Sequence, residues 1–132
     1  MNSEMTGVTK LRRINMSRYL FILNDPPYGT ERSYNALRLA GALSKREGEE
    51  VKLFLLGDAA SCAKASQKVP QGYYNVEVML RGAAKRNAEV GVCGTCMDAR
   101  GIGEAELVEA SHRSTLEQLT DWTLWADKIL VF

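Results

Sequence analysis

Four short apolar runs, separated by stretches with helical spacing, leave this chain few folds to adopt. Tyr19-Leu20-Phe21-Ile22-Leu23 ends at the turn-rich Asn24-Asp25-Pro26-Pro27-Tyr28-Gly29, and Val51 to Leu56 ends at Gly57-Asp58. A third run covers 89–92, and Ile129-Leu130-Val131-Phe132 closes the chain. Short continuous apolar runs bounded by turn residues read as strands buried on both faces. Between the first two, residues 30–47 put Tyr34, Leu37, Ala40, Gly41 and Ser44 at helical spacing, with Gly48 as the stop. A shorter helix over 59–66 carries Cys62, and Val69-Pro70-Gln71-Gly72 breaks the chain. Val76, Met79, Leu80, Ala83 and Asn87 then trace one face of a helix over 73–87. Residues 104–110 fit either a short strand through Leu107-Val108 or a helical turn. Ser114 or Thr115 caps a last helix, with Leu116, Leu119, Thr123 and Ala126 on one face.

Strand–helix alternation implies parallel pairing through right-handed crossovers. The expected fold is therefore α/β, a three-layer sandwich on a mostly parallel sheet of four or five strands. Ligands of such sheets bind beyond the carboxyl ends of the strands. Three segments collect at that edge: residues 24–30, 57–62 and 93–100.

At 132 residues the chain holds one domain with its own core. The first 16 residues are polar, with Lys10, Arg12 and Arg13 and no apolar stretch. They read as a disordered leader, or as translation upstream of a start at Met16, which leaves 17–132 as the domain. A net charge of +1 gives no bulk electrostatic case for direct nucleic-acid or membrane binding. No apolar run approaches the ~18–20 residues of a membrane span. Three cysteines, two of them at C-x-x-C spacing, do not make a secreted disulfide framework, and a reducing cytoplasm is the expected compartment.

Residues 91–101 read Gly-Val-Cys-Gly-Thr-Cys-Met-Asp-Ala-Arg-Gly. Cys93 falls where the third strand gives way to the next element. If a helical turn starts at Gly94, free backbone N–H groups there, including that of Thr95, favour a thiolate, and Arg100 adds positive charge. Such a thiolate can attack a sulfane-sulfur donor, hold the sulfur as a persulfide and pass it on, while Cys96, about one turn away, can resolve the persulfide into a disulfide. Other chemistries fit the same residues. A thioredoxin-like dithiol is opposed by position, since the pair falls late and Pro26, Pro27 and Pro70 all precede it. Zinc would need four ligands, and Cys62, Cys93, Cys96 and His112 form a conceivable set whose spacing matches no common finger. Cys62, flanked by alanine and serine, reads as a small buried hydrophobe. His112 reads as a lone surface or capping residue. Asp25, Tyr28 and Asp98 read as turn or capping residues that can approach the site. Trp122 and Trp125 read first as core and second as an oligomer contact.

In these segments the chain resembles the DsrE/DsrF-like family of small sulfur-relay proteins. The resemblance spans about Ser17 to Phe132 and rests on the order of four segments: residues 24–30 with 35–40, 74–80, 92–102 and 127–132. It implies a flavodoxin-like sandwich that assembles into trimers or hexamers, and sulfur carried as a cysteine persulfide between donor and acceptor proteins. Cys93 occupies the acceptor position, with Arg100-Gly101 downstream. Cys96 departs from the best-known carriers, which often lack a cysteine there. The resulting expectation is a cytoplasmic sulfur carrier or sulfurtransferase. Cys93 is its nucleophile and Cys96 its second thiol. Gly94, Thr95 and Arg100 stabilise the thiolate, and Asn24, Asp25 and Tyr28 shape the pocket. No organic cofactor is implied, because there is no G-x-G-x-x-G after the first strand and no P-loop. Thiol–disulfide cycling by Cys93 and Cys96, or a non-catalytic oligomeric or zinc-binding protein, are the alternatives.

Overall fold

The computed structural model describes residues 17–132, so the expected leader over 1–16 lies outside the described residues. In chain order the elements are β1 (Ser17–Leu23), α1 (Arg32–Ser44), β2 (Glu49–Leu55), a 3-10 helix (Gly57–Ala63) and α2 (Val76–Lys85). There follow β3 (Glu89–Cys93), α3 (Gly94–Ala99), a 3-10 turn (Glu104–Glu106), β4 (Ser111–Ser114), α4 (Leu116–Trp125) and β5 (Lys128–Val131). The five strands form one sheet in the order β4-β3-β2-β1-β5, and every neighbouring pair is parallel. The fold is the α/β sandwich expected from the alternating pattern.

Side chains alternate across the sheet with the period of two that strands impose. Phe21, Leu23, Leu53, Leu55, Val90 and Val92 face α1 and α2, where Leu37, Ala40, Val76, Leu80 and Ala83 complete the larger core. Leu20 and Phe54 face the other way, onto Trp122 of α4. The chain winds outward from β1 to β4 and then returns to β5. Crossovers of one hand that run in opposite directions land on opposite faces, and this is why α4 lies across the sheet from α1 and α2. Asn75 caps α2 by accepting a hydrogen bond from the Val78 amide at 3.2 Å, and Thr115 caps α4 by accepting one from the Gln118 amide at 3.1 Å.

Two elements differ from the sequence expectation. The fourth strand is Ser111–Ser114, four polar residues, and the Leu107-Val108 pair instead precedes it. This is an edge strand held by backbone pairing to β3, so its side chains need not be apolar. On α4 the packed face is Leu119 and Trp122, continued by Ala126 just past its end, while Leu116 and Thr123 are exposed. Trp122 takes the core position because Gly91 on β3 leaves room for it. A methyl group at Gly91 would lie 3.2 Å from the Trp122 ring and 3.3 Å from both Phe54 and Ser114. Lys52 fastens the same layer, with its ammonium 2.7 Å from Glu89 and over the rings of Trp122 and Trp125. Among the described residues, no helix is long and apolar enough to cross a membrane.

Candidate functional site

The carboxyl ends of β3 and β4 part company: β3 runs into α3, whose Met97 sits in the larger core, and β4 runs into α4 on the other face. Adjacent strands whose following segments diverge leave a crevice between them. Here the crevice is a cleft of about 500 Å³ bounded by Cys93–Cys96 on one side and residues 113–116 with Leu119 on the other, floored by Phe54 and Leu56. Cys93 faces it because Gly91 and Cys93 take the α4 side of β3, opposite to Val90 and Val92.

Cys93 is half-buried at the position preceding α3. Its sulfur lies 3.3 Å from Thr95 Oγ1, and the Cys96 thiol and the Cys96 and Thr95 amides point toward it without closing a full cap hydrogen bond. Burial alone pushes the Cys93 thiol up. The nearby Cys96 thiol, Thr95 hydroxyl and two amide N–H groups favour the thiolate and outweigh that, so Cys93 ionises below the ordinary thiol value. Cys96 moves the opposite way. Burial, donation of its proton to Cys93 and the charge on Cys93 raise it, against the Gly57 amide and Arg100. The pair is therefore unequal, and Cys93 loses its proton first.

The hydrogen bonds of Arg100 go to groups other than the Cys93 thiol. Its Nε and Nη2 donate to Asp58 at 3.0 and 2.8 Å, and its Nη1 donates to the Cys96 carbonyl at 3.0 Å. It ties α3 to the 3-10 helix after β2, and its charge falls on Cys96. The cation that shares the cleft lining with Cys93 is Arg113, which sequence reasoning missed. Its two Nη groups donate to the Asp98 carboxylate at 2.9 and 3.0 Å. Its guanidinium packs against Gly94, where an added Cβ would come within 2.9 Å of it. No signal pointed to Arg113, because a polar edge strand carries no apolar pattern.

Asn24, Asp25 and Tyr28 share the carboxyl edge but do not line this cleft. Asn24 Nδ2 donates to the Phe132 carbonyl at 3.1 Å. Asp25 accepts from the Thr30 hydroxyl at 2.8 Å, and its backbone carbonyl accepts from Ser33 at 2.8 Å. Tyr28 donates to Gln67 at 2.7 Å and accepts from the Val76 amide at 3.1 Å. Tyr28 lines a separate cavity of about 750 Å³ with Thr30, Tyr73 and Tyr74, and that larger cavity holds no cysteine. Cys62 is fully buried, and its thiol is pushed up to about 12 by desolvation, against a hydrogen bond from Ser33 and with a further rise from Asp25. His112 Nε2 is 2.6 Å from Gln118 Oε1, which also accepts from Ser114. Among the described residues, no three His, Cys, Asp or Glu side chains cluster to hold a metal ion, so the Cys62, Cys93, Cys96 and His112 set is not assembled.

Fold and site together define a parallel α/β sandwich with a cysteine pair at the carboxyl edge of its third strand. The chain belongs to the DsrE/DsrF-like family, whose family model matches residues 17–132. It is 40% identical over 118 residues to Protein YchN of Escherichia coli K12, covering 89% of this chain and all of that one. It is 36% identical over 111 residues to the uncharacterized protein MK0008 of Methanopyrus kandleri, covering 84% of this chain and 90% of that one. The crystal structure of the E. coli YchN protein superposes with a TM-score of 0.83 over 89% of this chain and all of that one. Protein MTH1491 of Methanobacterium thermoautotrophicum, at 11% identity, covers 86% of this chain and 98% of that one with a TM-score of 0.66, a likeness of fold.

Proposed function

We propose that this protein is a sulfur carrier or sulfurtransferase that holds sulfane sulfur as a persulfide on Cys93 and hands it to a partner. Family membership supports a sulfur-relay role in general. The observation that carries the specific reading is the inequality of the two thiols: Cys93 opens onto a cleft and is stabilised as a thiolate, while Cys96 keeps its proton. The Cys93 thiolate attacks the sulfane sulfur of a donor, and the donor's remaining group leaves with the bonding electron pair. An acceptor thiolate then attacks the outer sulfur and restores Cys93.

Cys96 supports a second reading, thiol–disulfide cycling, because it lies three residues from Cys93 and the two thiols shift each other's ionisation. The two readings share an intermediate: attack of Cys96 on the inner sulfur of the Cys93 persulfide gives the disulfide and releases hydrosulfide. A thiol reductant would then be required to regenerate the pair. The partner of the leading reading is a sulfur-acceptor protein, and the compartment is the cytoplasm, where thiols stay reduced. We also propose a homo-oligomer, a trimer or hexamer. Ile129 and Val131 on β5 and Leu124 on α4 are exposed apolar side chains that a second copy would cover.

Intact-mass spectrometry after incubation with a sulfane-sulfur donor tests the proposal. One added sulfur atom, lost on reduction and absent in Cys93→Ser, is the expected result. An unmodified wild-type protein, with Cys93→Ser behaving the same, overturns it.

A further inference from the structure

The cleft beside Cys93 is larger and more apolar than an inorganic sulfur anion needs. Its volume of about 500 Å³ falls among small organic ligand sites, roughly 300–1,000 Å³. Phe54, Leu56, Leu116 and Leu119 supply apolar walls from two different elements. Leu116 stands at the lip with 76% of its surface exposed. Arg113 is the cation in the lining, and both of its Nη groups are taken by Asp98. The ion pair removes most of the net charge that would concentrate a small dianion. It leaves the Nε–H, which makes no hydrogen bond among the described residues, as a donor beside Gly94 in the same cleft lining as Cys93.

We infer that the donor taken by Cys93 is an organic sulfane-sulfur compound whose apolar body lies on the leucine walls and whose anionic sulfur group sits beside Arg113. The inference rests on the persulfide reading above. Apolar surface leaving water favours such a donor in proportion to its area, while thiosulfate, polar on all sides, gains nothing from these walls and loses hydration. With an organic thiosulfonate, R–SO₂–S⁻, the Cys93 thiolate attacks the sulfane sulfur. A Cys93 S–S bond forms as the sulfur–sulfonyl bond breaks, and the sulfinate R–SO₂⁻ leaves with the electron pair. Two anions enter and two leave, and no outside oxidant takes part. An organic persulfide follows the same course with a thiolate as the leaving group. In either case Arg113 Nε–H is placed to receive the departing anion.

The test compares rates of Cys93 persulfide formation from benzenethiosulfonate and from inorganic thiosulfate, each normalised to its reaction with a free small-molecule thiol. Leu116→Ser is the variant, since an exposed side chain can be changed without disturbing the core, and far-UV circular dichroism checks its fold. The wild type is expected to prefer benzenethiosulfonate, and Leu116→Ser to lower that preference at least about threefold, mainly through KM. Equal normalised rates for the two donors, or a preference unchanged in Leu116→Ser, overturn the inference. Persulfide formed from thiosulfate alone overturns it while leaving the carrier reading standing. No persulfide from either donor overturns the carrier reading and this inference with it.

Discussion

Replacing Gly91 by alanine tests the packing that places α4, and with it one wall of the Cys93 cleft. The added methyl would meet the Trp122 ring at 3.2 Å, Phe54 at 3.3 Å and the Ser114 Cβ at 3.3 Å. All three contacts are tighter than ordinary carbon–carbon packing, and they come from β2, β4 and α4, so no single side chain can rotate away and relieve them. Overpacking of this kind costs about 1–3 kcal/mol. Alanine returns about 0.5–1 kcal/mol, because glycine loses more chain entropy in a strand. The net loss is centred on about 1.25 kcal/mol within a range of about 0–2.5 kcal/mol, and the central value is a fall in Tm of roughly 5 °C for a domain of this size. Urea unfolding followed by far-UV circular dichroism measures it. The same substitution in a Trp122→Leu background identifies the cause. Where the Trp122 ring is the obstruction, the cost of Gly91→Ala falls by at least about 0.5 kcal/mol in that background. A Gly91→Ala protein as stable as the wild type, or one equally destabilised in both backgrounds, would refute the packing argument. Phe54 and Ser114 also line the cleft, so this measurement bears on the site as well as on stability.

Cys93 is expected to alkylate at lower pH than an ordinary thiol and ahead of Cys96, and Thr95→Val to move its rate–pH profile upward by removing a hydroxyl donor; a profile unmoved by Thr95→Val would remove that hydroxyl from the account. The sign for stability follows: the depressed Cys93 value contributes stability above the unfolded thiol pKa, and this is lost as pH falls through the folded value. Cys62 acts the other way. Its folded value of about 12 against the ordinary 9.0 means that the unfolded chain ionises first, so stability declines as pH rises across that window. Chemical denaturation at about pH 8 and about pH 10 should show a decline in the wild type that is smaller in Cys62→Ala. Charging the exposed β5 face with Ile129→Glu and Val131→Glu should give a folded monomer by sedimentation velocity; an unchanged assembly would move the proposed interface elsewhere.

Largely apolar strand runs were readable in the chain because β1, β2 and β3 are covered on both faces, and burial on both faces selects apolar side chains regardless of partner. Helix positions were readable for the same reason, although their ends moved by several residues: α2 starts at Val76, after its Asn75 cap, and not at Tyr73. The fourth strand was not readable. Ser111–Ser114 pairs through backbone groups at a sheet edge, where side-chain polarity carries no information about pairing. Losing that strand also hid Arg113, whose place beside Gly94 depends on β4 lying next to β3. Arg100 misled in the opposite direction. Its closeness in sequence suggested Cys93, but a six-residue helix carries it around to Asp58 and the Cys96 carbonyl.

Alternation of apolar runs with amphipathic stretches determined the α/β class and the sheet edge at which the candidate cleft lies, since both follow from periodicity and the handedness of crossovers. The Cys-Gly-Thr-Cys segment determined where the cysteine pair lies, since residue type and strand end were both visible in it. Tertiary structure decided how the surroundings of Cys93 differ from those of Cys96. The S–H of Cys96 and the hydroxyl of Thr95 turn toward Cys93, whereas Arg100 turns toward Cys96. It also decided what surrounds that thiol, because the cleft walls come from β2, β4 and α4, elements separated along the chain and joined only where two neighbouring strands send their next segments to opposite faces of the sheet.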